Sequence, residues 1–118
     1  MTIWTEMTYP LILAKIPVKN PWEIFAYLPF GNWNDCPDTP ELMAAAKYWF
    51  QQHGAIPAAM SHDELEFELP TPISKERAME VAVEQYGFCP DLDQNEDGSI
   101  GSLADVLWQS TVWYFWWD

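Results

Sequence analysis

The stretch Val112-Trp113-Tyr114-Phe115-Trp116-Trp117-Asp118 decides the fold. Strand alternation places Val112, Tyr114 and Trp116 on one face and Trp113, Phe115 and Trp117 on the other, so both faces are apolar. An aromatic side chain buries about 150 to 250 Å², and no other segment of this length offers the core as much apolar area. The alternation predicts a strand inside a sheet, with Phe115 and Trp116 each buried on opposite sides. Helices cover one side. The other needs cover from the loop 29–40, from the residues around Trp4 or from a second copy of the chain, so a homodimer is one expectation.

Working back from this strand, Ile100, Leu103, Ala104, Leu107 and Trp108 recur at helical spacing and predict a short helix. Ser74 caps a helix expected to reach about Tyr86, with the apolar stripe Ala78, Met79, Ala82 and Tyr86. Segments 56–61 and 64–69 read as a hairpin turning near His62-Asp63. Its second arm points Leu65, Phe67 and Leu69 inward and Glu64, Glu66 and Glu68 outward, which leaves one sheet face wet. Thr39 as cap and Pro40 at the first position open a further helix, with Leu42, Ala45, Ala46, Trp49, Phe50 and His53 on its stripe until Gly54 ends it. Residues 29–40 are dense in turn formers and form a loop. Residues 11–18 and 22–28 are expected as strands, a short helix opened by Pro21 being the alternative for the second. The expected architecture is α+β, one domain over residues 1–118. It is a single layer pair, a mostly antiparallel sheet of about five strands with two to three helices packed on one face.

Composition narrows the functional classes. The 118 residues are 49% hydrophobic, enough for a core without disulfides, and 18 acidic against 5 basic residues give a formal charge of −13. Such a charge disfavours nucleic acid and anionic membranes as partners and favours a basic protein. No Lys or Arg follows Arg77, whereas Glu80, Glu84, Asp91, Asp93, Glu96, Asp97, Asp105 and Asp118 all do. Solubility alone explains a net charge far from zero. The first residues hold Glu6 and no basic region, and 11–16 is too short an apolar run for a signal segment or a membrane span, so a cytoplasmic address is expected. Cys36 and Cys89 stand alone and are expected to be reduced and structural.

Each candidate site competes with a plainer account. Asp93, Asn95 and Asp97 match the first positions of an EF-hand loop, but its twelfth position is Ala104 and Asp105 falls one residue late. A Ca²⁺ site lacking its bidentate carboxylate binds weakly, and an acidic turn before a helix accounts for the same residues. Cys36, Cys89, His53 and His62 are the right ligand types for Zn²⁺, without the paired spacing of structural zinc. No metal or other cofactor is therefore expected. Ser61-His62-Asp63 is a turn rather than a catalytic relay, because successive strand residues face opposite ways. A nucleophilic Cys36 with His62, assisted by Asp63 or Asp35, is the enzyme alternative. The row Glu64, Glu66 and Glu68, extended by Asp63, repels itself unless water or a basic partner attends it. Acidic and aromatic groups together suit an Arg- or Lys-rich surface. A non-enzymatic acidic binding protein, of the immunity or antitoxin kind, is the first functional expectation, and a mimic of nucleic-acid charge is its variant.

Four stretches taken together, Gly31-Asn32-Trp33-Asn34-Asp35-Cys36-Pro37, His62-Asp63-Glu64-Leu65-Glu66, Glu84-Gln85-Tyr86-Gly87-Phe88-Cys89-Pro90-Asp91 and Trp113-Tyr114-Phe115-Trp116-Trp117-Asp118, resemble a group of bacterial proteins, the domain of unknown function 4253 family. The likeness runs over about residues 16–118 and implies no activity. It implies that the loop around Trp33, Asn34, Asp35 and Cys36, and the terminal Trp-Trp-Asp, are family signatures, which adds Trp33, Asn34, Asp35 and Asp118 to Asp63, Glu64, Glu66 and Glu68 as candidate partner-binding residues. The acidic segment 93–98 departs from the family pattern, in which a shorter and less acidic stretch is expected.

Overall fold

The computed structural model describes residues 2–5, 12–28, 30–31, 36–90, 92 and 100–117, with the backbone alone at 2–5 and 12–14. In chain order it builds β1 (Thr2–Thr5), β2 (Ile12–Lys15), a 3-10 helix (Pro21–Ala26), α1 (Thr39–His53), β3 (Ile56–Met60), β4 (Glu64–Glu68), α2 (Lys75–Phe88), α3 (Ile100–Leu107) and β5 (Val112–Trp116). The class is α+β. Strands β3, β4 and β5 run antiparallel as neighbours, and β1, parallel to β3 through Trp4 opposite Ala59, extends the sheet toward β2.

The set of strands is not the expected one. The strand expected over 22–28 gives way to its alternative, the short helix opened by Pro21 over Pro21–Ala26, and the reason lies in the cap: the Asn20 backbone N–H and side-chain Nδ2 both donate to the Glu23 carboxylate, at 3.4 and 3.1 Å. Pro21 needs no amide partner at the first helical position. The neighbours Ile24 and Phe25 are both buried, which a strand with one wet face could not arrange. Strand β1 was not anticipated at all.

Helix α1 begins where the acidic side chain can reach. Asp38 rather than Thr39 is the cap, its Oδ1 accepting the Glu41 backbone N–H at 3.0 Å. Gly54 closes the helix at φ +74, the left-handed conformation that costs an L side chain about 1 kcal/mol or more. Leu42, Ala46 and Trp49 form its buried stripe. Helix α2 starts after Ser74 as expected, but its stripe is Ala78, Val81, Ala82 and Gln85, and Met79 is exposed. The helix is thus rotated from the anticipated face, with a polar amide taken inside.

The terminal strand departs from expectation in position. Among the described strands it is an edge strand, bonded to β4 alone, with Phe115 opposite Leu65 and Trp113 opposite Phe67. Its inner row Trp113, Phe115 and Trp117 is fully buried, whereas Val112 and Tyr114 are 45% and 43% exposed and Trp116 is half-buried. The expected burial of Trp116 is therefore not met. The reason is layering: α1 and α2 send Trp49 and Phe88 against the inner row, whereas α3 borders the outer row only across a groove at Tyr114 and Trp116. The described parts of the two segments expected as its cover lie elsewhere. Trp4 belongs to β1, which the whole of β3 and β4 separate from β5, and Phe30 packs edge-on against Trp117 on the inner side.

Candidate functional site

The outer face of β4 and β5 carries the candidate site. Register sets Glu64 opposite Trp116, Glu66 opposite Tyr114 and Glu68 opposite Val112, so an acidic row and an aromatic-aliphatic row lie side by side. Side chains directly opposite in an antiparallel pair have Cβ atoms about 4.5 to 5.5 Å apart. None of β3, β4 and β5 carries a basic residue. These strands bring carboxylates and no cation of their own to the face.

Four contacts fix its geometry. The Tyr114 hydroxyl donates to Glu64 Oε2 at 2.5 Å, tying the rows diagonally across the strands. At the hairpin turn, Ser61 Oγ lies 3.3 Å from Asp63 Oδ1 and 3.1 Å from Glu64 Oε1, and accepts the Glu64 backbone N–H at 3.2 Å. Asp63 is therefore held beside Glu64 at the top of the acidic row. Burial, then the hydrogen bond and charge of Glu64, then the charges of Asp63 and Glu66, all hold the Tyr114 phenol above its ordinary range. The same field that opposes a phenolate attracts a cation.

The protein already uses this chemistry internally. Lys47 Nζ lies 5.8 Å from the centre of the Trp22 ring and Lys75 Nζ 5.1 Å from that of Trp108. Arg77 pairs with Glu80 at 3.5 Å.

The remaining candidates are dispersed. Cys36 and Cys89 are buried thiols within the core cluster, and Cys89 Sγ donates to the Trp116 carbonyl at 3.0 Å. The His62 side chain is 80% exposed at the hairpin turn, with Nε2 at 3.6 Å from Asp63 Oδ2. A buried thiol and an open imidazole occupy opposite environments. Among the described residues no group of three or more His, Cys, Asp or Glu could hold a metal ion. Asp105, the one described member of the calcium candidate, is exposed and accepts the Trp108 indole N–H at 3.4 Å. Asp93, Asn95 and Asp97, and the partner-binding candidates Trp33, Asn34, Asp35 and Asp118, lie outside the described residues. Among the described residues no helix is long and apolar enough to cross a membrane.

Sequence reasoning missed Tyr114 and Trp116 as members of the acidic face. The signal was present: once Leu65 and Phe67 are assigned inward, whichever row of β5 faces out must neighbour Glu64, Glu66 and Glu68. It also missed Gln85, whose buried position no polar side chain advertises.

A search of curated proteins and a search of solved structures return no match. A family model described as domain of unknown function (DUF4253) matches residues 12–118, and the chain therefore belongs to that family.

Proposed function

We propose that this protein is a non-enzymatic binding protein, an inhibitor or antitoxin-like partner that presents the outer face of β4 and β5 to an Arg- or Lys-rich surface of a basic protein. The observation that carries the proposal is the pairing of Glu64, Glu66 and Glu68 with Trp116, Tyr114 and Val112 on a face that leaves Tyr114 and Val112 exposed. Carboxylates receive guanidinium or ammonium groups through charge-assisted hydrogen bonds, and the adjoining rings offer apolar and cation–π contact to the long side-chain stems. Aromatic anchors surrounded by charge are the residue types that dominate binding energy at protein interfaces. The formal charge of −13 steers such a partner toward the face from a distance.

The test is affinity capture from the source cell, run in parallel with the intact protein and the double variant Glu66→Lys, Glu68→Lys. Both positions are on the solvent side of β4, so the variant retains the fold. A partner of high isoelectric point held by the intact protein and lost by the variant is the expected result. A partner held equally by both places recognition elsewhere and overturns the proposal.

A further inference from the structure

The edge of β5 that no described strand pairs is chemically specified. Leu69 N–H donates to the Thr111 carbonyl at 2.8 Å and Trp117 N–H to the Asp63 carbonyl at 3.1 Å. Hydrogen-bonded pairs alternate along an antiparallel ladder, so the odd-numbered residues of β5 bond β4 and the even-numbered ones turn their N–H and C=O outward. Both ends of that outward row are occupied within the chain. Ser110 Oγ meets the Val112 N–H and C=O, each at 3.0 Å, and Cys89 Sγ meets the Trp116 C=O. In the middle, the Tyr114 N–H and C=O and the Trp116 N–H have no partner among the described residues. An open edge of this kind is a template for another strand.

Beside it runs a groove of about 410 Å³ between β5 and α3, walled by Leu103, Val106 and Leu107 on one side and Tyr114 and Trp116 on the other, with Gln85 in its lining. That volume lies in the range of about 300 to 1,000 Å³ typical of ligand clefts. Gln85 is 1% exposed and its Nε2 has no hydrogen-bond partner among the described residues. A buried amide left unmatched is costly, and a backbone carbonyl entering the groove would satisfy it. Val106 is left 56% exposed at the groove mouth, open to an apolar side chain of an incoming segment.

We propose that the groove between β5 and α3 takes an extended, basic segment of the partner as an added strand, its backbone pairing with Tyr114 and Trp116 and one of its carbonyls meeting Gln85. This deepens the binding role proposed above and rests on it. Charge selects the occupant: a second copy would bring another −13 to the same edge, whereas a basic segment meets Glu64 and Glu66 beyond the β5 wall. Strand addition takes affinity from main-chain hydrogen bonds and specificity from alternate side chains. A segment alternating apolar and basic residues places the apolar ones in the groove and the basic ones on the outer side, reaching across β5 toward the acidic row.

The probe is an end-blocked peptide of about eight alternating Lys and Val residues, titrated against the full chain at low salt by tryptophan fluorescence and by amide hydrogen exchange. Binding is expected, with exchange at Tyr114 and Trp116 slowed by about tenfold or more. N-methylation of the peptide's alternate amides, in the register that faces β5, should weaken binding about tenfold, because each methyl removes a donor and blocks the edge. Gln85→Leu should weaken binding several-fold while leaving the melting temperature equal or higher, since an apolar replacement relieves the unmatched amide. Val106→Arg, at an exposed position that leaves folding untouched, should abolish binding. N-methylated and plain peptides binding alike, with Tyr114 exchange unchanged, overturn the edge proposal. If Glu66→Lys, Glu68→Lys still abolishes binding in that case, the acidic face remains the site and only the strand mode falls. No binding by the plain peptide overturns the edge proposal too, and the capture experiment then decides the face by itself.

Discussion

Trp49 of α1 lies flat on Phe115 of β5, ring centroids 5.6 Å apart and planes 6° from parallel. Around that stack, Phe67, Phe88 and Trp113 meet Trp49 edge-on at 4.9 to 5.7 Å. Offset-stacked and edge-to-face pairs each add about 0.5 to 1.5 kcal/mol beyond area burial. Trp49 is thus the point at which the helical layer grips the sheet. Its indole N–H also donates to Glu84 Oε1 at 3.2 Å, joining α1 to α2.

Trp49→Ala should therefore cost about 3 to 5 kcal/mol in chemical denaturation. Trp49→Phe keeps a ring on Phe115 and gives up the bond to Glu84, so its loss should be clearly smaller. Equal losses would show that the stack contributes nothing specific.

A pH dependence follows from His53. Burial, then the charge of Arg77, lowers its pKa below the ordinary histidine value, and its buried Nε2 has no partner among the described residues. The unfolded chain then takes up the proton more readily than the folded one. Stability is fully present above the unfolded value of about 6.5 and is lost as pH falls through the folded value. The melting temperature should drop between about pH 7 and pH 5, and His53→Gln, which carries no titratable proton, should flatten the drop.

At the alkaline end Tyr114 acts with the opposite sign. Its phenol is held above the ordinary range by burial and by Glu64, so its share of the stability is whole below the unfolded value of about 10 and is lost as pH rises beyond it. Tyr48, raised mainly by its hydrogen bond to Glu84, adds to the same loss. Tyr114→Phe should keep more of its melting temperature than the unaltered protein from about pH 10 upward, with part of the slope remaining. Identical slopes would contradict the link between the Tyr114 hydroxyl and Glu64.

Residues with strong local signals were legible in the sequence. Gly54, the strict Glu-x-Glu-x-Glu alternation and the aromatic terminus each state a preference that tertiary contacts then honour. The class and the acidic row followed from them. The 3-10 helix was not legible because Trp22 to Leu28 alternates well enough for a strand, and only the Asn20–Glu23 bonds decide otherwise. The edge position of β5 was not legible because apolar alternation reports how many faces are apolar, not how many are covered. An exposed Tyr114 and a half-buried Trp116 look in sequence like core, and only the register beside Glu66 and Glu64 gives them another role.

The central claim is that β5 divides its labour: the inner row makes the fold and the outer row is left for recognition. Paired equilibrium unfolding of Phe115→Ala and Tyr114→Ala tests it most directly. Phe115 is 0% exposed, and its truncation should cost about 3 to 5 kcal/mol. Tyr114 stands on the open face, and its truncation should cost about 1 kcal/mol, the worth of one hydrogen bond to a carboxylate near the surface. Comparable losses from the two variants, or a larger loss from Tyr114→Ala, would show that the outer row is structural as well and would contradict the claim.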